Sequence, residues 1–333
     1  MGNSETGGET SEKLYDLAYA RSEVEAGGGM KRLEAIRASG RGTARDRIRW
    51  LIDADSFVEI DSSFSSINIG TDSTFDIITW NIENFPKQDE TTVNYLAELI
   101  DTMNVDIVAM QEIGDEYYFN QLVAQLNGWS GFRTNGSWGL AFIYKSELVI
   151  NRIEEIQSLD NYNLTRTPLL MEVEWGGEII YIINNHYKCC GNGTIEDKYD
   201  DEEYRRLQSC ILTKTYIDSN LGSENVILVG DLNDDLSDPD SANVFINFIN
   251  DSDNYLFVDE NIAYGYSSNW SYPSWPSHLD HILITNELFD EFDNEGSSVQ
   301  TIRLEEYFDN GWIDYEKYIS DHRPVGLSLK FNP

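Results

Sequence analysis

Carboxylates, carboxamides and histidines recur in this chain wherever an apolar run stops. Asn81 and Glu83 follow the first such run in TWNIEN, Glu112 closes the next in AMQEIG, and His186 stands in NNHYK. Asp231 and Asn233 repeat the two-residue spacing in VGDLND, Asp280 lies in HLDHIL, and Asp321 and His322 adjoin in SDHRP. Side chains two apart on a strand share a face, so each spaced pair points into one space. Taken singly, Asp and Asn at strand ends are ordinary turn and helix-cap residues. Gathered at one end of a sheet they describe a carboxylate-rich pocket, whose internal repulsion a cation relieves. Oxygen donors without a Cys/His cage suit Mg²⁺, or Mn²⁺ or Ca²⁺, rather than zinc, and such ions bind phosphates. All four histidines (His186, His278, His281 and His322) fall in or beside these motifs. For His278 and His281 the preferred reading is packing or surface.

The elements that must carry these residues are apolar β runs alternating with helical stretches. The runs are FDIITW (75–80), VDIVAM (105–110), LAFIYK (140–145), LLMEVEW (169–175), EIIYIINN (178–185), NVILVG (225–230), LDHILIT (279–285) and PVGLSL (324–329). Helices are expected near 91–103, 116–126 and 201–219. Long apolar strands interleaved with helices and hairpins predict an α/β protein of two packed mixed sheets flanked by helices, with its ligand site in the crevice at the carboxyl ends of the strands. Ahead of this, residues 1–12 are Gly/Ser/Thr/Glu-rich and predicted to be disordered. Residues 13–61 read as two amphipathic helices broken at Gly27-Gly28-Gly29, followed by a short strand. A polar stretch at 62–74 reads as a linker, which leaves 75–333 as the main domain.

In order and wording, WNIEN, QE, NNHYK, GDLND, HLDHI and SDH resemble the endonuclease/exonuclease/phosphatase superfamily over residues 75–331. The resemblance implies the DNase I-like four-layer α/β sandwich and a divalent-metal-dependent phosphoesterase. It implies that Glu83 and Glu112, with Asp321, are metal ligands, and that Asn81 helps to order metal or phosphate. Asp231 and Asn233 would orient and activate the attacking water. His186 would bind or protonate the phosphate or leaving group, Asp280 would orient His322, and Arg166 in TRTPL would face the phosphate. Glu83 stands where many members have Asp, a longer arm that bears on metal preference. The implied activity is phosphodiester hydrolysis by in-line attack of water, foremost that of a nuclease acting on nucleic acid. The same fold also hosts inositol-phosphate phosphatases and sphingomyelinases, so fold alone does not fix the substrate. A scaffold with a dead site is the non-enzymatic alternative, which the complete set of motifs opposes.

Residues 13–65, around GRGTARDRIRWLIDADSFVEID, resemble a different family, the N-terminal stretch of carboxyltransferase subunits of biotin-dependent acyl-CoA carboxylases. No acyl-CoA or biotin-binding core follows, so no carboxylase activity is expected. The segment reads as a helical surface appendage, or as a docking element for a protein partner.

The net charge of −36 narrows the substrate interaction further. Residues 1–73 carry 9 Lys/Arg and 13 Asp/Glu, so 14 and 46 remain in residues 74–333, a charge of −32. Such a field disfavours non-specific binding along a phosphate backbone, whose affinity comes from Lys and Arg. An anionic substrate would then depend on metal ions for neutralisation. No window reaches the roughly 18 apolar residues of a membrane span, and no apolar leader core is visible, which leaves the compartment open. MGNSET fits the loose N-myristoylation pattern with no basic cluster behind it. Cys189, Cys190 and Cys210 show no metal spacing. Adjacent cysteines rarely bridge each other, so either one of the pair bonds to Cys210 or all three are reduced. Trp270, Tyr272 and Trp275, just before Asp280, either form a loop over the site or pack within their own loop.

Overall fold

A computed structural model of the chain describes residues 69–331 except Ser137, together with Phe64 and Ile67. The expected N-terminal tail and the 13–61 appendage lie outside the described residues. By its contacts the chain divides into two units: residues 1–63 with Glu305–Asp314, and Phe64–Leu304 with Tyr315–Pro333. The second unit carries all the strands below. Phe64 and Ile67, within the stretch read as a linker, are buried.

The architecture is two six-stranded mixed sheets with flanking helices, as expected. The first sheet has the order β11 (Ser298–Thr301), β12 (Val325–Leu329), β1 (Phe75–Phe85), β2 (Ile107–Ile113), β4 (Gly139–Lys145), β3 (Trp129–Arg133). The second runs β5 (Val149–Glu155), β6 (Leu169–Trp175), β7 (Glu178–His186), β8 (Asn225–Asp231), β10 (Asp280–Thr285), β9 (Tyr255–Phe257). Each sheet has one parallel pair at its centre, β1 with β2 and β7 with β8, and is otherwise antiparallel. A parallel pair needs a long crossover. The helix α1 (Asp89–Met103) lies between β1 and β2 in sequence, and α3 (Glu202–Asn220) between β7 and β8, while α2 (Glu116–Gln125) follows β2.

The central strands are apolar throughout because both of their faces are covered. Phe75, Ile77, Ile107, Ala109 and Phe142 of the first sheet meet Met171, Val173, Ile182, Val229 and Ile284 of the second in one fully buried core. The opposite face of the second sheet presents Leu170, Ile183 and Leu228 to Cys210 and Ile217 of α3. In α1, Val93, Leu96, Ala97, Ile100 and Met103 are buried at helical spacing. Between the sheets the buried Gln111 Nε2 donates to Asn184 Oδ1 at 2.8 Å, and Asn184 Nδ2 donates to the Met110 and Ala141 carbonyls at 3.0 and 3.1 Å. Amides without such partners would be costly there.

Two differences from expectation bear on the site. β3, β5, β9 and β11 are additions to the predicted set; they lie at or beside sheet edges, and β5 is half-buried or exposed along its length, so no apolar pattern marks it. β1 continues to Phe85, so Asn81 and Glu83 sit within the strand rather than beyond it. Its register with β2 shifts between Asn81 and Phe85.

Candidate active site

Strand register assembles one wall of the site. His186 pairs with Asp231 across β7 and β8, and Asp280 pairs with Asp231 across β8 and β10, so three polar residues form a row at one end of the second sheet. Gly230 makes the approach of these strands possible: its φ is 150°, and a Cβ there would lie 2.0 Å from the Asn185 carbonyl oxygen. The first sheet supplies the other wall through Asn81, Glu83 and Glu112. Asn81 joins the two, since its buried Nδ2 donates to Asp231 Oδ2 at 2.8 Å and to Glu112 Oε1 at 3.3 Å. Glu112 has a φ of 64°, a left-handed conformation uncommon outside glycine, and its other oxygen accepts the Asn84 N–H at 2.9 Å. Glu83 is paired with Lys87 and accepts the Asp321 N–H at 3.2 Å.

The last motif is fixed from behind. Ser320 Oγ donates to the Asn81 carbonyl at 2.7 Å and accepts the His322 N–H at 3.0 Å, while the Tyr315 hydroxyl donates to the His322 carbonyl at 2.6 Å. The His322 Nδ1–H donates to Asp280 Oδ2 at 2.7 Å, leaving Nε2 toward the crevice, 3.9 Å from Asp231 and 4.0 Å from Asp321. The Tyr272 ring lies against the imidazole with centroids 4.8 Å apart. Burial opposes charge on His322, but Asp280 and then Asp231 and Asp321 outweigh it and raise the pKa to about 10.

The neighbouring groups are shifted by the same forces. Burial pushes Asp231 up to about 7, with His322 and the Asn81 hydrogen bond opposing and Asp280 and Glu112 adding. Asp321 rises to about 6, chiefly through burial and then through the adjacent Glu83 carboxylate. His186, whose Nε2 lies 3.4 Å from Asp231 and 3.9 Å from Glu112, moves the other way. Burial, Arg166 and His322 hold it well below the ordinary histidine value, so it is a neutral imidazole at pH 7. Asn233 has a φ of 57°; its N–H donates to Asp231 Oδ1 at 3.1 Å and its Nδ2 to the Tyr187 carbonyl at 3.3 Å. Arg166 donates to the Trp138 carbonyl and the Thr165 hydroxyl, with its guanidinium 5.7 Å from the Trp138 ring centroid. A cleft of about 590 Å³ opens here, walled by Glu112, Trp138, Arg166, His186, Lys188 and Cys189 among others.

All ten residues expected at the site are therefore joined in one region. Their oxygens suit a hard cation. Asn81 Oδ1, Asp280 Oδ1 and Asp321 Oδ1 are buried and accept no hydrogen bond, and the raised values of Asp231 and Asp321 are ones that a nearby cation would bring down. Among the described residues, two tight groups of metal-ligating type occur, Asp231–Asp280–His322 and Asp259–His278–His281. The second lies behind the site and has no free nitrogen. His278 Nδ1 accepts the Ser271 N–H and its Nε2–H donates to Asp259, while His281 donates to Asp259 at 2.6 Å and to the Asp234 carbonyl at 2.9 Å.

Several contributors carry little sequence signal. Ser320, Tyr315 and Gln111 brace the site through contacts between residues more than 70 positions apart, which no local pattern announces. Arg206 of α3 is buried, donating to Asp234 at 2.7 Å and to the Lys188 and Cys190 carbonyls at 2.8 and 2.6 Å. It thereby ties the loop after His186 to the loop after Asp231. The aromatic stretch divides: Tyr272 packs on His322, Trp270 donates to the Ile262 carbonyl, and Trp275 is exposed.

Two mixed sheets ending in a crevice of carboxylates and imidazoles define a hydrolase of phosphoester bonds with the DNase I-like fold. The chain belongs to the endonuclease/exonuclease/phosphatase family, whose model matches residues 78–322. Similar solved structures include D. rerio TDP2 complexed with single strand DNA product, at TM-score 0.59 and 15% identity over 78% of this chain and 100% of that one. The human Nocturnin catalytic domain with bound sulfate aligns at TM-score 0.54 and 16% identity over 78% and 94%. A family protein from Bacteroides thetaiotaomicron aligns at 0.53 and 16% over 78% and 98%. At these identities the likeness is one of fold. Separately, the chain is 42% identical over 52 residues to methylmalonyl-CoA decarboxylase subunit alpha of Propionigenium modestum, and 48% over 50 residues to that of Veillonella parvula. These stretches are 16% and 15% of this chain, which spans about a tenth of the length of either relative.

Proposed function

We propose that the protein is a divalent-metal-dependent phosphodiesterase acting on nucleic acid. The observation that carries this reading is the His322–Asp280 pair, with Nδ1 committed at 2.7 Å and Nε2 left facing Asp231. A carboxylate on one nitrogen fixes the tautomer and raises the basicity of the ring. At neutral pH His322 is an imidazolium, suited to hold a phosphate oxygen as negative charge develops on it.

Asp231, with its pKa near 7, can accept a proton from an attacking water at neutral pH, where a general base is most effective. Asn233, beside it on the loop, helps to place that water. His186, held neutral, serves as a hydrogen-bond donor to phosphate rather than as an acid. Glu83, Glu112 and Asp321 would hold the metal, with Asn81 beside them. When bound, the ion supplies positive charge to the non-bridging oxygens and the leaving group. Arg166 and Lys188 add positive charge to a cleft wall of an otherwise acidic body. The Trp138 indole offers a face on which a base can stack. The fold likeness to TDP2 complexed with single strand DNA product supports the nucleic-acid substrate.

The test compares plasmid DNA, single-stranded DNA, RNA, sphingomyelin, inositol phosphates and bis-p-nitrophenyl phosphate with Mg²⁺, Mn²⁺, Ca²⁺ or EDTA, beside Glu112→Ala. Cleavage of nucleic acid that is lost both in EDTA and in the variant is expected. Turnover that survives either change overturns the metal-dependent mechanism, and preference for sphingomyelin or an inositol phosphate overturns the substrate.

A further inference from the structure

Cys189 and Cys190 stand on the loop that follows His186 and take no part in the chemistry above. Both are exposed free thiols, and the Cys190 thiol donates to Cys189 Sγ with the sulfurs 2.9 Å apart. A disulfide requires about 2.05 Å, so closure is a movement of about 1 Å. The backbone holds the pair in this relation. Cys190 adopts a left-handed φ of 72°, and its carbonyl accepts from the buried Arg206. On the far side Gly193 N–H donates to the buried Glu203, and Gly191 passes so close to that carboxylate that a Cβ would lie 2.3 Å from it. Lys188 Nζ donates to Cys189 Sγ at 3.7 Å. Cys210, the remaining cysteine, is on the buried face of α3, where burial pushes its thiol up.

We propose that Cys189 and Cys190 form a redox-active dithiol that a hydroperoxide closes to a vicinal disulfide. The Cys189 thiolate attacks the peroxide, forming an S–O bond as the O–O bond breaks, and the departing hydroxide takes up a proton to leave as water. The Cys190 thiol then attacks the resulting sulfenic sulfur: the S–S bond forms, the S–O bond breaks and a second water leaves. Two thiols lose two electrons and two protons, and one hydrogen peroxide becomes two waters. An eight-membered ring between neighbours is strained and solvent-facing, which makes the bond easily reduced, the property of regulatory rather than structural disulfides. Cys189 lines the cleft beside His186 and Lys188, so the change alters the wall of the site.

The experiment treats the full chain with stoichiometric hydrogen peroxide and follows intact mass, free thiols after denaturation and the sulfur linkage in a non-reducing digest. Expected are loss of two thiols of three, a mass decrease of two hydrogens, both sulfurs in one peptide, and full recovery with dithiothreitol. In Cys190→Ser the mass loss disappears and Cys189 is trapped by dimedone as the sulfenic acid. Phenylarsine oxide, which bridges paired thiols, is expected to block both in the native chain and to be washed from Cys190→Ser. A link to Cys210 or between two chains, or oxidation of Cys189 to the sulfinic acid with Cys190 still reduced, overturns the proposal. None of these readouts depends on phosphodiesterase activity, so they stand or fall separately from the proposed function.

Discussion

Two histidine–carboxylate groups draw on the same HLDHIL segment and differ in one respect. In the first, His322 gives Nδ1 to Asp280 and keeps Nε2 toward the crevice, with carboxylates no nearer than 3.9 Å. In the second, Asp259 takes hydrogen bonds from His278 and His281, and the other nitrogen of each ring is also bonded to the protein. Both His281 nitrogens face acceptors, a carboxylate and a carbonyl, so this ring carries two protons and a charge. Burial opposes that charge, and Asp259 overcomes it to place the pKa near 9; the histidines in turn hold Asp259 below the usual carboxylate range. The HLDHIL segment contributes Asp280 to the open group and His278 and His281 to the closed one. An imidazole and a carboxylate do not make a catalytic pair by themselves; the uncommitted nitrogen does.

The contrast is sharpest in paired substitutions. His322→Ala is expected to lower kcat/KM by roughly 10²- to 10³-fold, the usual worth of one preorganised donor to developing charge, and to cost stability as well, since it leaves the buried Asp280 without its partner. His281→Ala should cost about 3–5 kcal/mol of stability by stranding a buried carboxylate while the folded fraction turns over normally. Chemical denaturation and steady-state rates on the same preparations separate the two. A comparable loss of kcat/KM in the folded His281→Ala protein would erase the distinction.

A smaller effect lies in the pH dependence. Because the folded His281 pKa is raised from 6.5 to about 9, its stabilisation is complete below pH 6.5 and is lost as pH rises through 9, on the order of 3 kcal/mol in all. The lowered Asp259 value places the complementary loss at acidic pH, outside this window. In His281→Gln the decline in urea-derived stability between pH 6.5 and 9 should lessen by His281's share while that of His322, raised to about 10, persists; an unchanged slope would mean that the ring is not doubly protonated. The smallest effect belongs to Tyr272→Ala, which removes an aromatic contact worth about 0.5–1.5 kcal/mol. It should reduce the rate about 3- to 10-fold and lower the apparent pKa of His322, read by NMR titration of the ring.

The long central strands and the polar residues that end them were legible because each strand is buried on both faces, so its apolar run is continuous and its first polar residue conspicuous. β5, VINRIEE, was not, since an exposed edge imposes no such pattern. The extension of β1 through WNIEN was hidden for the opposite reason: polar residues that serve a site look like the end of a strand. The sequence alone suggests packing or surface for His278 and His281; both are fully buried, and their role as a hydrogen-bonded support depends on Asp259, a partner that no spacing reveals. Arg206 lies 28 residues before Asp234, and the distance between them closes only when α3 returns the chain to β8.

Gly230 gives the site its narrowest mutational tolerance. A scan that replaces side chains by alanine treats glycine as the mildest position, since only a methyl is added. Here that methyl would meet the Asn185 carbonyl oxygen at 2.0 Å and wedge β7 from β8 next to the paired His186 and Asp231. One carbon would displace two functional residues together without altering either, so libraries built on this scaffold should hold position 230 fixed before any acid or histidine is varied.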